Sequence, residues 1–179
     1  DKSWEALFKG LFPTNTYGSQ TTIGTIDHLK NPSLTEIKKY FNTYYVPNNI
    51  AICLSGDLDP DATIKMIDEK FGSWKSKPVP AYQPFIEKPI LTPVVKEVVG
   101  PDAENIMIGY RFPGIGSKEA DMMMMVNKIL SNGKAGLIDL NLNQEQKVLE
   151  AYAFDLQFKD YSTHIIQAIP KEGQTLEQL

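Results

Sequence analysis

Histidine is nearly missing from this sequence. His28 and His164 stand 136 positions apart, with no His-x-x-x-His, His-x-x-Glu-His or Cys-x-x-Cys spacing anywhere. A catalytic zinc takes three protein ligands, two of them usually close together on one element, so a self-contained zinc centre is excluded. His28, after Asp27, reads as a loop residue, and His164 as an ordinary residue near the start of a strand; neither reads as a ligand. Cysteine is reduced to Cys53, which excludes an internal disulfide. In the middle of an apolar strand it reads as a small buried hydrophobe, inaccessible as a nucleophile. No apolar run approaches the roughly 20 residues that a bilayer span needs. Positive charge is not in excess: the net charge of −4 removes a general case for a nucleic-acid or anionic-membrane surface. An initiator Met and a signal peptide are lacking, and both ends fall inside apparent helices. The chain is therefore expected to be a piece of a longer protein, and the missing targeting segment says nothing about compartment. There is no internal repeat, and no low-complexity tract apart from a run of methionines.

What is present is ordinary globular material, 42% hydrophobic and 22% charged over 179 residues, enough for one good core. Trp4, Leu7, Phe8 and Leu11 fall at helical spacing and predict a short amphipathic helix that Pro13 ends. Thr14 to Thr22 is polar and Gly-containing, a loop. Ser33-Leu34-Thr35-Glu36 is a capping box, so a helix starts there, shows Leu34, Ile37, Phe41 and Tyr44 on one face, and stops before Val46-Pro47. Ile50, Ile52 and Leu54 alternate with Ala51, Cys53 and Ser55, predicting a strand buried on both faces. Asp59 then caps a helix from Pro60 to Phe71 that Gly72 closes.

Five prolines between Ser76 and Pro93 rule out regular structure, so this stretch reads as a connector inside one domain. Strand-like runs follow at Val94–Val99 and Asn105–Phe112, then a helix capped by Ser117 that runs through Met122, Val126 and Ile129 to about Ser131. Asn132-Gly133 breaks it, and a second helix is expected from about Ala135 to Gln146. Strands at Leu149–Phe158 and Thr163–Ile169 flank a turn around Asp160. The order is β-α-β-β-α-α-β-β after N-terminal helices. Neighbouring strands without a helix between them favour antiparallel pairing with helices on one face, an α+β fold.

Several stretches invite chemistry and have plainer readings. Gly114-x-Gly116-Ser117-Lys118 lacks the spacing of a phosphate loop and reads as a turn. Asp57, Asp59 and Asp61 lack the EF-hand spacing and its closing Glu, so capping and solvation explain them better than calcium. Glu97, Asp102, Glu104 and Asp121 form no recognisable acid–base pair. Met122-Met123-Met124-Met125 covers every side of a helical turn. Two of the four belong in a core; the outer pair is exposed unless another domain packs there.

Taken in order, these passages resemble the pitrilysin/insulinase-type zinc peptidases, which carry an inverted His-x-x-Glu-His motif. Leu11-Phe12-Pro13-Thr14-Asn15-Thr16-Tyr17-Gly18 with Ile23 to Leu29 is similar to one family passage. Leu34 to Tyr45 with Val46-Pro47-Asn48-Asn49 is similar to the next. Ile50–Asp59 with the helix to Gly72, then Ile108 to Pro113, then Leu130 to Leu137, continue the series over essentially the whole chain. The closest resemblance is to long, two-half bacterial members.

The resemblance implies a metallohydrolase-like half-domain and a division at residue 47. Residues 1–47 would be the C-terminal tail of the preceding catalytic domain, and residues 48–179 the second, non-catalytic, chamber-forming domain, truncated at its C-terminal helix. The zinc and its ligands would belong to the parent upstream. Glu5 is the one nearby carboxylate, and it sits too close to Tyr17-Gly18 to match the third ligand. This chain is thus assigned no catalytic and no metal-binding residue, and its substrate-binding residues stay unidentified. The parent would be a zinc endopeptidase degrading peptides, or a metal-free homologue serving as a structural or binding subunit. Partners would be peptide substrate, the remaining domains of its own chain and, for the piece alone, a second copy held through the N-terminal segment or the methionine helix; a periplasmic bacterial parent is the expectation. Asn15-Thr16 replaces the family's usual His-Pro, and Lys134-Ala135-Gly136-Leu137 stands where many members have a Ser-x-Arg-Leu-like segment.

Overall fold

The computed structural model describes residues 2–20 and 23–179, which form two units. One is Asp1–Thr22 with Pro84–Leu179, and the other is Ile23–Gln83.

The first unit is built on three antiparallel strands, β1 (Ile106–Pro113), β2 (Glu150–Gln157) and β3 (Tyr161–Ile169), in the order β1-β3-β2. Register aligns Gly109 with Ile165 and Phe154, and Tyr110 with His164 and Asp155. Side chains alternate across a sheet, so these two rows belong to opposite faces. Helix α1 (Lys2–Leu11) lies on the Gly109 face. Its Trp4 ring reaches Phe154 at 5.9 Å and its Phe8 ring meets Phe158 edge-on at 5.9 Å. Leu7 and Leu11 close over Gly109, and Phe12 is wholly buried. The short α2 (Thr16–Ser19) folds back against α1. Helix α6 (Lys118–Leu130) takes the other face, where Asn127 donates to Asp155. The α+β class and the antiparallel sheet are as expected; the helices occupy both faces rather than one.

The second unit holds α3 (Ile26–Lys30), α4 (Leu34–Tyr44) and α5 (Pro60–Phe71). Their starts follow from local chemistry. Ser33 accepts the N–H of Glu36 and Asp59 that of Ala62, satisfying donors that a helix leaves unpaired. Gly72 closes α5 as expected, at φ −58° in a right-handed conformation, and a Cβ there would lie 2.5 Å from the Asp68 carbonyl oxygen. Ile50 to Ser55 is not a strand. A strand exists through its ladder partner, and within Ile23–Gln83 the described residues contain no other strand to supply one. Ile50, Ile52, Cys53 and Leu54 are exposed, which corrects the buried reading of Cys53.

Further differences have similar causes. Val94–Val99 runs without a ladder and Val95 and Val99 are exposed. Thr14–Thr22 and the His28 region, expected as loops, contain α2 and α3. The helix expected from Ala135 to Gln146 shrinks to a π-helical turn at Asp139–Asn143 after two helical residues, because the preceding loop is wrapped around the Asp139 carboxylate. None of the four methionines is buried. Helix α6 instead turns Ala120 and Asn127 inward and presents Met122, Met125, Val126 and Ile129, spaced i, i+3, i+4, i+7, to the outside. The face of Trp4, Leu7, Phe8 and Leu11, in the N-terminal segment through which a second copy was one expected contact, is packed on the sheet.

Candidate functional site

Three polar clusters lie among the described residues of the first unit, and two of them centre on residues, Glu87 and Asp139, that sequence reading passed over. The first centres on Glu87, in the proline-rich connector. Its Oε1 accepts the backbone N–H of Thr14 at 2.9 Å and of Asn15 at 2.7 Å, and its own N–H donates to the Tyr161 hydroxyl at 2.7 Å. Arg111, an inward position of β1, brings its guanidinium to 4.0 Å from the second Glu87 oxygen. It also donates to the carbonyls of Leu11 and, at 2.5 Å, Lys88, and lies over the Tyr161 ring at 5.2 Å. Both side chains are removed from water, 8% exposed for Arg111 and 1% for Glu87. Burying either charge alone would be costly; the pair with its hydrogen bonds removes that cost. An open cleft of about 350 Å³ beside it is lined by Phe85, Ile86, Arg111, Phe112 and Tyr161 among others. Glu87 is occupied by backbone donors and leaves no lone carboxylate for acid–base work.

The second cluster is on the opposite face. His164 is buried, with its ring stacked on Tyr110 at 6.1 Å and Asp155 beside it across the β2–β3 ladder. Burial pulls the imidazole below its ordinary pKa, and the Asp155 charge partly opposes this. Asp155 accepts from Asn127 at 2.6 Å and from Gln157 at 3.2 Å. His164 is therefore an interior residue, not the surface or strand-end residue expected. The third cluster is the loop after α6. Asp139 accepts from the backbone N–H of Asn132 at 2.8 Å and of Gly136 at 3.1 Å and from the Ser131 hydroxyl at 3.3 Å. The Asn132 bond above all, joined by the other donors, holds its carboxyl below the usual range against the effect of burial. This fixes the backbone of the Lys134-Ala135-Gly136-Leu137 segment.

The residues singled out from sequence are not brought together. His28 lies exposed in α3, in the other unit from His164. Asp59 is spent capping α5, and Ser117 caps α6 from the turn at Gly114–Gly116, accepting the N–H of Ala120. Asn15 caps α2 through the N–H of Tyr17. Glu5, Glu97, Asp102, Glu104 and Asp121 are all exposed. Among the described residues no three His, Cys, Asp or Glu side chains are grouped to hold a metal, and His164 has one carboxylate neighbour where zinc wants two further ligands. The described residues do not fit a zinc ion. A local signal for the Glu87 cluster did exist: an Arg on the covered face of a strand demands a buried acceptor.

Residues 32–179 match the family profile described as the Peptidase M16 inactive domain. The chain is 25% identical over 155 residues to the zinc protease PqqE of Helicobacter pylori, covering 83% of this chain and 34% of that protein. It is 19% identical over 156 residues to the uncharacterized zinc protease YmxG of Bacillus subtilis, covering 84% and 37%. The chain thus spans little more than a third of the length of these relatives. Its fold is similar to that of a crystallised protease from Helicobacter pylori, with a TM-score of 0.70 at 24% identity over 97% of this chain and 43% of that one. It is also similar to the periplasmic protease PqqL of Escherichia coli, with a TM-score of 0.64 at 12% identity over 96% and 20%.

Proposed function

Since the chain belongs to the M16 (pitrilysin/insulinase-type) peptidase family, matched over residues 32–179 to its inactive domain, we propose that it is a non-catalytic part of a zinc-dependent endopeptidase. Residues 1–47 are the tail of the preceding catalytic domain, and residues 48–179 the second domain, which frames the chamber around a peptide substrate. The zinc and its ligands belong to the rest of the parent. The observation that carries the non-catalytic reading is the inactive-domain match, which begins at residue 32; the division at residue 47 rests on the family resemblance alone. Among the described residues neither histidine is grouped with two further His, Cys, Asp or Glu side chains. The similarity to PqqL, described as periplasmic, makes the bacterial periplasm the compartment we propose for the parent.

What this chain's residues contribute is shape. The buried Glu87–Arg111 pair anchors the proline-rich connector to the end of α1 and to β1. The test is metal analysis of the dialysed 179-residue chain together with a quenched-peptide assay. The expected result is no stoichiometric zinc and no cleavage. One tightly held zinc per chain, or peptide cleavage by the chain alone, overturns the reading of the piece. A parent sequence without His-x-x-Glu-His upstream overturns the enzymatic reading of the parent and leaves a structural or binding subunit.

A further inference from the structure

On the inward side of helix α6, Ala120 and Asn127 are buried and Met123 and Leu130 half-buried, while Met122, Met125, Val126 and Ile129 face outward. The side-chain hydrogen bond that ties it down runs from Asn127 Nδ2 to Asp155 Oδ1, 2.6 Å long and partly buried. Asp155 is paired across the ladder with His164, and His164 with Tyr110.

We propose that Asn127, Asp155 and His164 form a latch that holds α6 on the sheet at neutral pH and loosens it in mild acid. Among the described residues, β2 brings Asp155, the carboxylate whose charge acts on the imidazole; β1 brings Tyr110, whose ring is stacked on it; and α6 brings the uncharged Asn127, bonded to Asp155. The charged residues of α6, Lys118, Glu119, Asp121 and Lys128, are all exposed. The buried Nδ1 of His164 has no hydrogen-bond partner, and neither has the buried Oδ1 of Asn127. A neutral imidazole tolerates that site, whereas an imidazolium requires an acceptor for each N–H. The acceptor at hand is the Asp155 carboxylate. Charged His164 therefore competes with Asn127 for it, and Asn127, whose oxygen is already unpaired, loses its hold.

The direction follows from linkage. Burial lowers the pKa of folded His164 below its ordinary 6.5. The stabilisation is complete above that ordinary value and is lost as pH falls from it through the folded value. Opening of α6 should become about tenfold easier for each pH unit by which burial depresses the folded value. The pull of Asp155 limits the total.

Amide hydrogen exchange of the 179-residue chain at pH 7.5 and pH 5.0, corrected for intrinsic rates, reads this directly. The expected result is a loss of protection at pH 5.0 in the amides of residues 122–130, with the β2–β3 ladder amides retained. His164→Gln should erase the difference between the two pH values. Asn127→Ala should leave α6 poorly protected at both and serves as the second variant if His164→Gln fails to fold. Equal α6 protection at both pH values in the wild type overturns the latch. So does a parallel loss across β2 and β3, which marks general acid unfolding, and so does a pH effect that survives in His164→Gln.

Discussion

Arg111 sits where β1 turns its side chain inward, so its charge has to be met inside the protein. Glu87, Leu11 and Lys88 meet it. Removing one member of a buried pair strands the other, a loss of about 3–5 kcal/mol where the pair is well buried. Glu87→Ala also leaves the N–H groups of Thr14 and Asn15 without an acceptor. We expect Glu87→Ala to lower stability in urea titrations by about 3–5 kcal/mol. Glu87→Gln, which keeps an acceptor oxygen but not the charge, should cost about 1–3 kcal/mol. A Glu87→Ala loss within about 0.5 kcal/mol, the scatter of ordinary surface changes, would mean the cluster is dispensable. At this scale the sequence was partly legible. Ser33, Asp59 and Ser117 were readable as caps because a cap is satisfied within three residues. Glu87 was not, because its partners lie 72 and 73 positions away in the chain. Cys53 and His164 were misread for one reason: burial depends on which neighbour a strand acquires, and alternation does not name the neighbour.

Elements were legible in proportion to how local their causes are. Helices α1, α4, α5 and α6 and strands β1, β2 and β3 lie close to where periodicity and caps put them. Ile50–Ser55 and Val94–Val99 carry equally good strand patterns and form none, since ladders are made with distant residues. Close approach of elements is equally invisible to periodicity, and two glycines measure it. A Cβ at Gly18 would lie 2.1 Å from the Phe12 carbonyl oxygen and 2.7 Å from that of Phe8, both backbone atoms at the end of α1. A Cβ at Gly109 would meet Leu7 and Leu11 methyl carbons at 2.9 and 3.0 Å, the ends of side chains that can swing. Gly18→Ala must therefore push α2 away from α1, and we expect a loss of about 3 kcal/mol, the upper range for overpacking. Gly109→Ala should cost about 1 kcal/mol, the lower range. Thermal unfolding of the two variants side by side gives the comparison. A Gly109→Ala more damaging than Gly18→Ala would contradict the packing of α1 on α2.

For the whole molecule, the apolar surface left uncovered is what distinguishes this chain. In the first unit β1 is an edge strand whose Ile108 and Tyr110 are 43% and 51% exposed, on the face that α6 also occupies. On α6, Met122, Met125 and Ile129 are 57%, 67% and 60% exposed. Scattered exposed hydrophobics are normal, but a continuous stripe on one helix face marks a contact surface. Each such side chain gains about 1.5–3 kcal/mol when fully buried. β1, an edge strand with Pro113 only at its end and no Lys, adds backbone groups that favour association. In the parent, the domains missing here are the natural cover under the proposed function. The isolated chain lacks them, so we expect it to self-associate at micromolar concentration through the α6 stripe, not through α1, whose apolar face is already packed on the sheet. Sedimentation velocity over a concentration series checks this, and Met125→Glu with Ile129→Glu should return the chain to monomer without loss of helix signal, both positions being exposed. If Trp4→Ala dissociates the oligomer and the double glutamate variant does not, the contact lies at the N-terminus. A monomer at every concentration would mean that the stripe alone is too small to hold a second copy.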